Sequence, residues 1–403
     1  MSNIHKHTKT QVMVKLTSTS PKLPSPPPTQ KNKMKSNNIR WVVHGILTEL
    51  FYNVFVRTIN RTRTRMFATK EERLALDNNI RNRLPPKHEV AIVTGATGGI
   101  GSQIATDLAY KGYDVVIAAR NTKMGKELVK KIQDELKNTS SSSKDQEDEL
   151  PTIRFVEYHA DDPQSAISMA SSIKDMKSPL TVLINNAGIM GKSKRLSMQV
   201  NLLGPVWLTF ALLPQMITKG TVINVGSSAH LRATSVIDED LIPSESSGEK
   251  QSYVESLPGV ADDDLSTYAA SKLALMQFST LLRQWLSKND HKSIQIIDAH
   301  PGLVWTPLLR NHIGDKAVST LTKTGIANLI YKSSSEGAAA IVSALSHSAP
   351  VTNDQVYFVN GKPGGYSTLE SVSLEASNQL WKIVLKPEVD GIVELPKGWE
   401  IEM

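Results

Sequence analysis

Cysteine is absent from all 403 residues, which excludes disulfides, zinc–thiolate centres and cysteine nucleophiles. Acidic residues are absent before Glu49, and residues 1–87 carry 17 Lys+Arg against 4 Asp+Glu. That balance of +13 leaves −6 of the net +7 for the remainder, so a basic extension precedes a mildly acidic body. The overall pI near 9.2 therefore says nothing about nucleic-acid binding by the folded part, for which no nucleic-acid partner is expected. No internal repeat and no clustered set of metal ligands is visible, so no metal is expected. The stretch Trp41–Val56 falls short of a membrane span, because His44, Glu49 and Asn53 interrupt it and about 20 apolar residues are needed.

The composition that is present is ordinary for a folded chain, with 40% hydrophobic and 21% charged residues. Residues 1–40 are Lys-, Ser-, Thr- and Pro-rich, and Pro24-Ser25-Pro26-Pro27-Pro28 forbids a helix; a basic disordered or targeting segment is expected. Its lack of acids resembles an organelle transit peptide, although arginine is scarce. In Trp41–Val56 the residues Val43, Leu47, Leu50, Phe51, Val54 and Phe55 recur at helical spacing, and Arg57, Arg61, Arg63 and Arg65 follow. An amphipathic helix over 41–65 lying on a membrane surface is the expectation, with a helix packed on the domain as the alternative. Residues 66–87 read as a linker, 88–385 as one catalytic domain and 386–403 as a C-terminal tail.

From Lys87 onward apolar runs alternate with helical periodicity. Strands are predicted at Val90–Val93, Val115–Ala119, Ile153–Tyr158, Thr181–Ile184, Val222–Val225, Ile294–Ile297 and Val356–Val359. Helices are predicted at Thr122–Leu136, Pro163–Met176 and Thr267–Leu286, and Asn138–Glu149 reads as a solvated loop. Such alternation predicts an α/β fold, a doubly wound parallel sheet with helices on both faces.

Between the first strand and an apolar-periodic segment lies Thr94-Gly95-Ala96-Thr97-Gly98-Gly99-Ile100-Gly101. Glycines at a strand–helix turn let the backbone approach a phosphate, and the helix N-terminus offers free N–H groups. At the end of the second strand stands Arg120, where folds that prefer NAD carry an acid; an arginine there suits a 2′-phosphate, so NADP(H) is expected. Tyr268 and Lys272 stand at i and i+4 and share a helix face. A free tyrosine has a pKa near 10, and an adjacent ammonium would draw it toward working pH. Tyr268 is thus a candidate acid/base and Lys272 its tuner. The strand Val222–Val225 runs into Ser227 and Ser228, either of which could hold a substrate oxygen or simply cap a turn.

Four motifs in order over residues 88–385 resemble the classical short-chain dehydrogenase/reductase family, in a branch similar to retinol dehydrogenases. TGATGGIG resembles the family's TGxxxGIG loop, which implies cofactor contacts from Gly95, Thr97, Gly99, Ile100 and Gly101. Asn185-Asn186-Ala187-Gly188 resembles NNAG, implying contacts from Asn186, Ala187 and Gly188; Tyr268-Ala269-Ala270-Ser271-Lys272 resembles YxxxK. Pro301, Gly302 and Thr306 resemble the PGxxxT segment. The resemblance further implies Ser227 as the catalytic serine with Ser228 as its neighbour, and Asn201 as the helix asparagine whose carbonyl supports a proton relay. It also implies Lys272 on the nicotinamide ribose and Asp161 at the adenine, Asp162 being the near alternative. His230 reads as structural or as part of the substrate mouth.

The implied activity is interconversion of a carbonyl and an alcohol on a small lipophilic molecule of retinoid, steroid or prenyl type. Membrane association, with the endoplasmic reticulum foremost and an organelle or the cytoplasm as alternatives, accompanies it, as does a homo-oligomer. A protochlorophyllide-reductase-like reading is disfavoured by the missing cysteine. An NADP(H)-binding scaffold or sensor without turnover is the reading from another class, against which Tyr268 and Lys272 speak. Two departures border the substrate pocket: Tyr268 lies 41 residues after Ser227, through an acidic, Ser-rich insertion, and Gly188 to Asn201 is short.

Overall fold

A computed structural model describes residues 88–140, 150–191, 193–233, 236, 263–289, 294–313, 315–324, 327, 331–346, 357–363, 368–396 and 399. The expectations for residues 1–87, including the helix over 41–65, and for most of the insertion before Tyr268 lie outside the described residues.

The element order is β1 (Val90–Thr94), α1 (Gly99–Tyr110), β2 (Asp114–Ala119), α2 (Thr122–Ser140), β3 (Ile153–Glu157), α3 (Pro163–Lys174) and β4 (Leu180–Asn185). A broken helix follows as α4 (Lys194–Met198), a π turn (Gln199–Leu203) and α5 (Gly204–Leu212). Then come β5 (Met216–Val225), α6 (Asp264–Lys288), β6 (Gln295–His300), α7 (Pro307–Ile313), α8 (Asp315–Lys323), α9 (Ser334–Val342), β7 (Tyr357–Val359) and β8 (Lys362–Pro363). Three short helices close the chain: α10 (Leu369–Val372), α11 (Leu374–Leu380) and α12 (Lys386–Val389), with a π turn (Trp381–Leu385) before the last.

The strands form one sheet in the order β3-β2-β1-β4-β5-β6-β7-β8, parallel except for the final β7–β8 pair. All seven predicted strands are present. Their legibility has a simple cause: central parallel strands are covered on both faces and read as unbroken apolar runs. Every residue of β1, β2 and β4 is buried, whereas the edge strand β3 exposes Arg154 and Glu157. One sheet face packs on α3, α5, α6 and the C-terminal helices through Phe210, Phe278 and Leu385; the other packs on α1, α2 and α9 through Ile104, Ile132 and Ile341. Each such fully buried side chain contributes about 1.5–3 kcal/mol relative to exposure.

Several element boundaries differ from expectation. Helix α2 continues through Ser140, four residues beyond its predicted end, so Asn138–Ser140 is helix rather than loop. Helix α6 begins at Asp264 because the Asp263 carboxylate accepts from the N–H groups of Leu265 (3.1 Å) and Ser266 (2.9 Å), a cap read in the sequence as part of an acidic insertion. The segment beyond 385 is no loose tail. Trp207 donates to the Glu388 carbonyl (2.8 Å), and Trp399 packs edge-on against Phe210 with ring centres 4.7 Å apart. The run Lys194–Gln215 is the one described helix long and apolar enough to cross a membrane, yet 83% of its apolar window is buried inside the fold.

Candidate active site

The strand order reverses between β1 and its neighbours β2 and β4, which opens a crevice at the C-terminal strand ends. A cavity of about 790 Å³ fills that crevice. Gly95, Thr97, Gly99 and Ile100 line it on one side, Ser227, Tyr268 and Lys272 on another, and Pro301, Gly302 and Thr306 along its floor. Arg120, Asp161, Asn186, Ala187 and Gly188 line it as well.

The glycine turn is shaped by backbone contacts. Gly95 is left-handed (φ +63), and a Cβ there would stand 2.8 Å from the Ala187 Cα. Gly98 begins α1 with no side-chain cap and no acid in the first turn, so that helix end remains receptive to an anion. Gly101, expected as a cofactor contact, does not line the cavity. It is buried where a Cβ would meet Asn186 Nδ2 and the Gly95 carbonyl at 2.5 Å, so its role is to let α1 close on the turn. Thr94, which the sequence reasoning passed over, ties the turns together. Its hydroxyl accepts from the N–H groups of Asn186 and Ala187, both at 3.0 Å.

On the opposite side, Tyr268 and Lys272 stand near the start of α6 as their spacing predicts. Ser227, and not Ser228, lowers the Tyr268 pKa against the effect of burial, which favours it over Ser228, although both line the cavity. The Lys272 ammonium lies 5.8 Å from the centre of the Tyr268 ring and donates to the Val225 carbonyl at 2.8 Å. Burial raises the Tyr268 pKa, opposed by the Ser227 bond, and burial lowers that of Lys272 to about 8. The i,i+4 spacing alone predicts that the lysine draws the tyrosine down. In the structure desolvation is the larger influence on both, and the ammonium is committed to a main-chain carbonyl.

Asn201 sits in the π turn between α4 and α5, a helix irregularity of the kind found at functional sites. Its amide accepts from the Ile189 N–H (2.8 Å) and donates to the Ile189 carbonyl and the Ser271 hydroxyl, both at 2.9 Å. It thereby holds the segment after Gly188 against the Tyr268 helix. Asp161 reaches the cavity with Oδ1 buried and without a donor, while Asp162 caps α3 through the Gln164 N–H (3.0 Å). His230 is buried and does not line the cavity, with Nδ1 2.6 Å from the Ser227 carbonyl and its ring 5.3 Å from that of Tyr357. Met190, Leu231, Leu265, Leu303, Leu308 and Leu309 add apolar side chains to the cavity lining that no motif announced.

Residues 89–237 match the short chain dehydrogenase family model. Human polyprenol dehydrogenase is 30% identical over 63% of this chain and 72% of its own, and the mouse protein 32% identical over 65% and 72%. The chain belongs to the short-chain dehydrogenase/reductase family. As a member of that oxidoreductase family it is also similar to the Arabidopsis thaliana dehydrogenase/reductase SDR family member FEY, at 34% identity over 55% of this chain. The chain spans only about half of that relative's length, 55%. An uncharacterized Mycobacterium paratuberculosis protein shares the fold, with a TM-score of 0.51 and 21% identity over 78% of this chain and 97% of its own.

Proposed function

We propose that this short-chain dehydrogenase/reductase uses NADP(H) to interconvert a carbonyl and an alcohol on a lipophilic, prenyl-type substrate. The observation that carries the reading is one cavity that joins the glycine turn, the Ser227–Tyr268–Lys272 set and a group of apolar side chains. The residues present suit a dinucleotide. The start of α1, with no side-chain cap and no acid in its first turn, suits a phosphate, and the buried acceptor of Asp161 matches an amino-group donor such as that of adenine. Arg120 at the end of β2, with no acid beside it on that strand, supports a 2′-phosphate and hence NADP(H) over NAD(H).

When bound, NADP(H) supplies the reducing equivalent at the nicotinamide C4. Ser227 holds the substrate oxygen, and Tyr268 gives it a proton in reduction or takes one in oxidation. Burial keeps Tyr268 protonated in the pH range where reduction needs an acid. Lys272 carries its positive charge against the Tyr268 ring below about pH 8, which eases proton loss from the phenol. Asn201 fixes both Ile189 and Ser271 and so keeps the Tyr268 helix in register with the cavity wall.

The apolar side chains of the lining support a lipophilic substrate, and the polyprenol dehydrogenases among the relatives make prenyl alcohols and aldehydes the first class to test. If residues 41–65 form the amphipathic helix that their spacing predicts, it would bring the site to a membrane surface, the endoplasmic reticulum foremost. The test is turnover of the full chain against prenyl, retinoid, steroid and small carbonyls, with NADPH and NADH side by side. NADPH-dependent prenyl reduction that Tyr268→Phe abolishes, while NADPH still binds, is the expected result. Turnover at the wild-type rate in that variant would refute the mechanism; tight NADPH binding with no turnover of any carbonyl would instead mark a sensor. Membrane fractionation of the chain with and without residues 41–65 tests the surface helix, and unchanged association would refute it.

A further inference from the structure

Lys332 belongs to none of the motifs and lies 31 positions beyond Pro301, yet it holds the cavity floor at several points. Its N–H donates to the Leu303 carbonyl (2.7 Å) and its carbonyl accepts from the Trp305 N–H (2.9 Å), in a parallel bridge with Val304. Its ammonium donates to the Pro301 carbonyl at 3.0 Å and also to Asn360 Oδ1. One residue thus grips Pro301, Leu303 and Trp305, a stretch whose first four residues, Pro301, Gly302, Leu303 and Val304, all line the cavity.

The surroundings are built around that ammonium. Lys332 is only 6% exposed, so its charge has been taken out of water, which costs several kcal/mol unless it is well partnered. Asn360, in the turn between β7 and β8, adopts a left-handed backbone (φ 54), and its N–H bonds the His300 carbonyl at 3.3 Å. Gly302 is left-handed too, and a Cβ there would stand 2.7 Å from Lys332 Nζ and 2.8 Å from Asn360 Oδ1. The clamp therefore lies directly against the Gly302 backbone, and the conformation of the Pro301–Gly302 turn depends on it. The Trp305 and Tyr331 rings, with centres 4.9 Å apart, close the same junction from outside.

We propose that Lys332 and Asn360 are a positioning pair that fixes the Pro301–Gly302–Leu303 turn and, through it, the nicotinamide end of the cofactor cavity. The inference rests on the cofactor reading above. The nicotinamide would lie on the Tyr268 side of the cavity, where its C4 would exchange hydride with the carbon that bears the substrate oxygen, and this turn lines the cavity there. The adenosine end, at Arg120 and Asp161, is built on β2 and β3 and owes nothing to Lys332.

The distinction sets the experiment. In the full chain, Lys332→Met, Lys332→Arg and Asn360→Gly are compared for NADPH affinity by fluorescence, for affinity to 2′,5′-ADP, which carries the adenosine end alone, and for thermal stability. Lys332→Met should weaken NADPH about tenfold and leave 2′,5′-ADP within about twofold, since it removes a charge-assisted bond from one end of the site only. Lys332→Arg should restore part of the loss. Asn360→Gly, which keeps the left-handed turn and removes the acceptor, should weaken NADPH about threefold, and it carries the test if Lys332→Met does not fold. Equal losses for both ligands, or unchanged NADPH binding, would overturn the positioning role. A wild-type chain that binds neither ligand would overturn the cofactor reading itself, and the two failures are told apart by the 2′,5′-ADP titration.

Discussion

Around Gly95 main chain packs on main chain, whereas around Asp298 the same sheet is held by buried polar side chains. The first region joins β1, α1 and the Asn185–Gly188 turn with gaps that no Cβ could share, and its bonds run largely through N–H groups, carbonyls and the Thr94 hydroxyl. In the second, Asn185 donates to Thr209 (3.2 Å) and Asn224 (2.9 Å), Asn224 to Ser279 (2.8 Å), and Ser279 to Asp298 (2.7 Å), which Arg283 pairs. That chain of bonds runs from β4 across β5 to β6 and into α6, the helix that carries Tyr268 and Lys272. The contrast fits what each side must do. A dinucleotide's phosphates are met by backbone N–H groups, so there the main chain has to come close. In the proposed function the acid/base pair needs a helix held at a fixed angle to the strand ends, and a directional side-chain network does that better than apolar packing alone.

The sharpest way to break the second region is Arg283→Met. Arg283 donates to the Ile296 carbonyl (3.1 Å) and to the Asp298 carboxylate, and Asp298 is 2% exposed at its side chain. Burial already raises the Asp298 pKa against the opposing pull of Arg283 and Ser279. Removing the guanidinium should cost about 3–5 kcal/mol in denaturant unfolding, the range for stranding one member of a buried pair. A loss below about 1 kcal/mol would show that the network does not hold α6.

The first region should fail by sterics instead. Gly95→Ala combines a left-handed φ with a methyl 2.8 Å from the Ala187 Cα. About 2–4 kcal/mol of stability should go, together with dinucleotide binding. Gly98→Ala is the control, three residues away in the same turn. Gly98 has an extended backbone (φ −124), and its Cβ would meet nothing within 4 Å, so stability should change by under about 0.5 kcal/mol. Equal effects at the two glycines would mean that close backbone approach is not what shapes this turn.

The two regions also differ in how far they could be read from the sequence. Backbone-built features leave local marks: the glycine spacing and the apolar runs of β1, β2 and β4 were legible because the cause and the residues coincide. Tyr268, Lys272 and Ser227 were legible through motif order. Asp263 was not, because a capping acid at the end of an acidic stretch looks like more of the stretch until the helix start is seen. Lys332 and the Asn224–Ser279–Asp298 chain left no local mark, since their partners lie on other strands and helices. The direction of the Tyr268 shift was misread for a related reason. The i,i+4 spacing reports that a lysine is near, but not that both groups are dry and that the ammonium faces the Val225 carbonyl.

Lys272 is where the two modes meet, a side chain held by a strand's main chain, and its titration gives the smallest of these effects. Burial lowers its pKa to about 8 from 10.5, so between those values the unfolded chain binds a proton that the folded chain does not. Stability then rises with pH, because the unfolded state binds more protons. Between pH 7 and pH 9.5 this one group should add on the order of 2 kcal/mol to the unfolding free energy of the cofactor-free protein. Tyr268, whose folded pKa is raised above its unfolded value near 10, opposes the trend only as the pH approaches 10. Lys272→Met removes the titrating group while keeping an unbranched apolar stem, so the rise should flatten in unfolding curves measured at intervals from pH 7 to 9.5. A rise of the same size in that variant would place the alkaline gain in some other group and leave Lys272 charged in the fold. The Val225 carbonyl and the nearby phenol would then be compensating its burial fully, and the protein would enter its reaction with the ammonium fixed rather than poised.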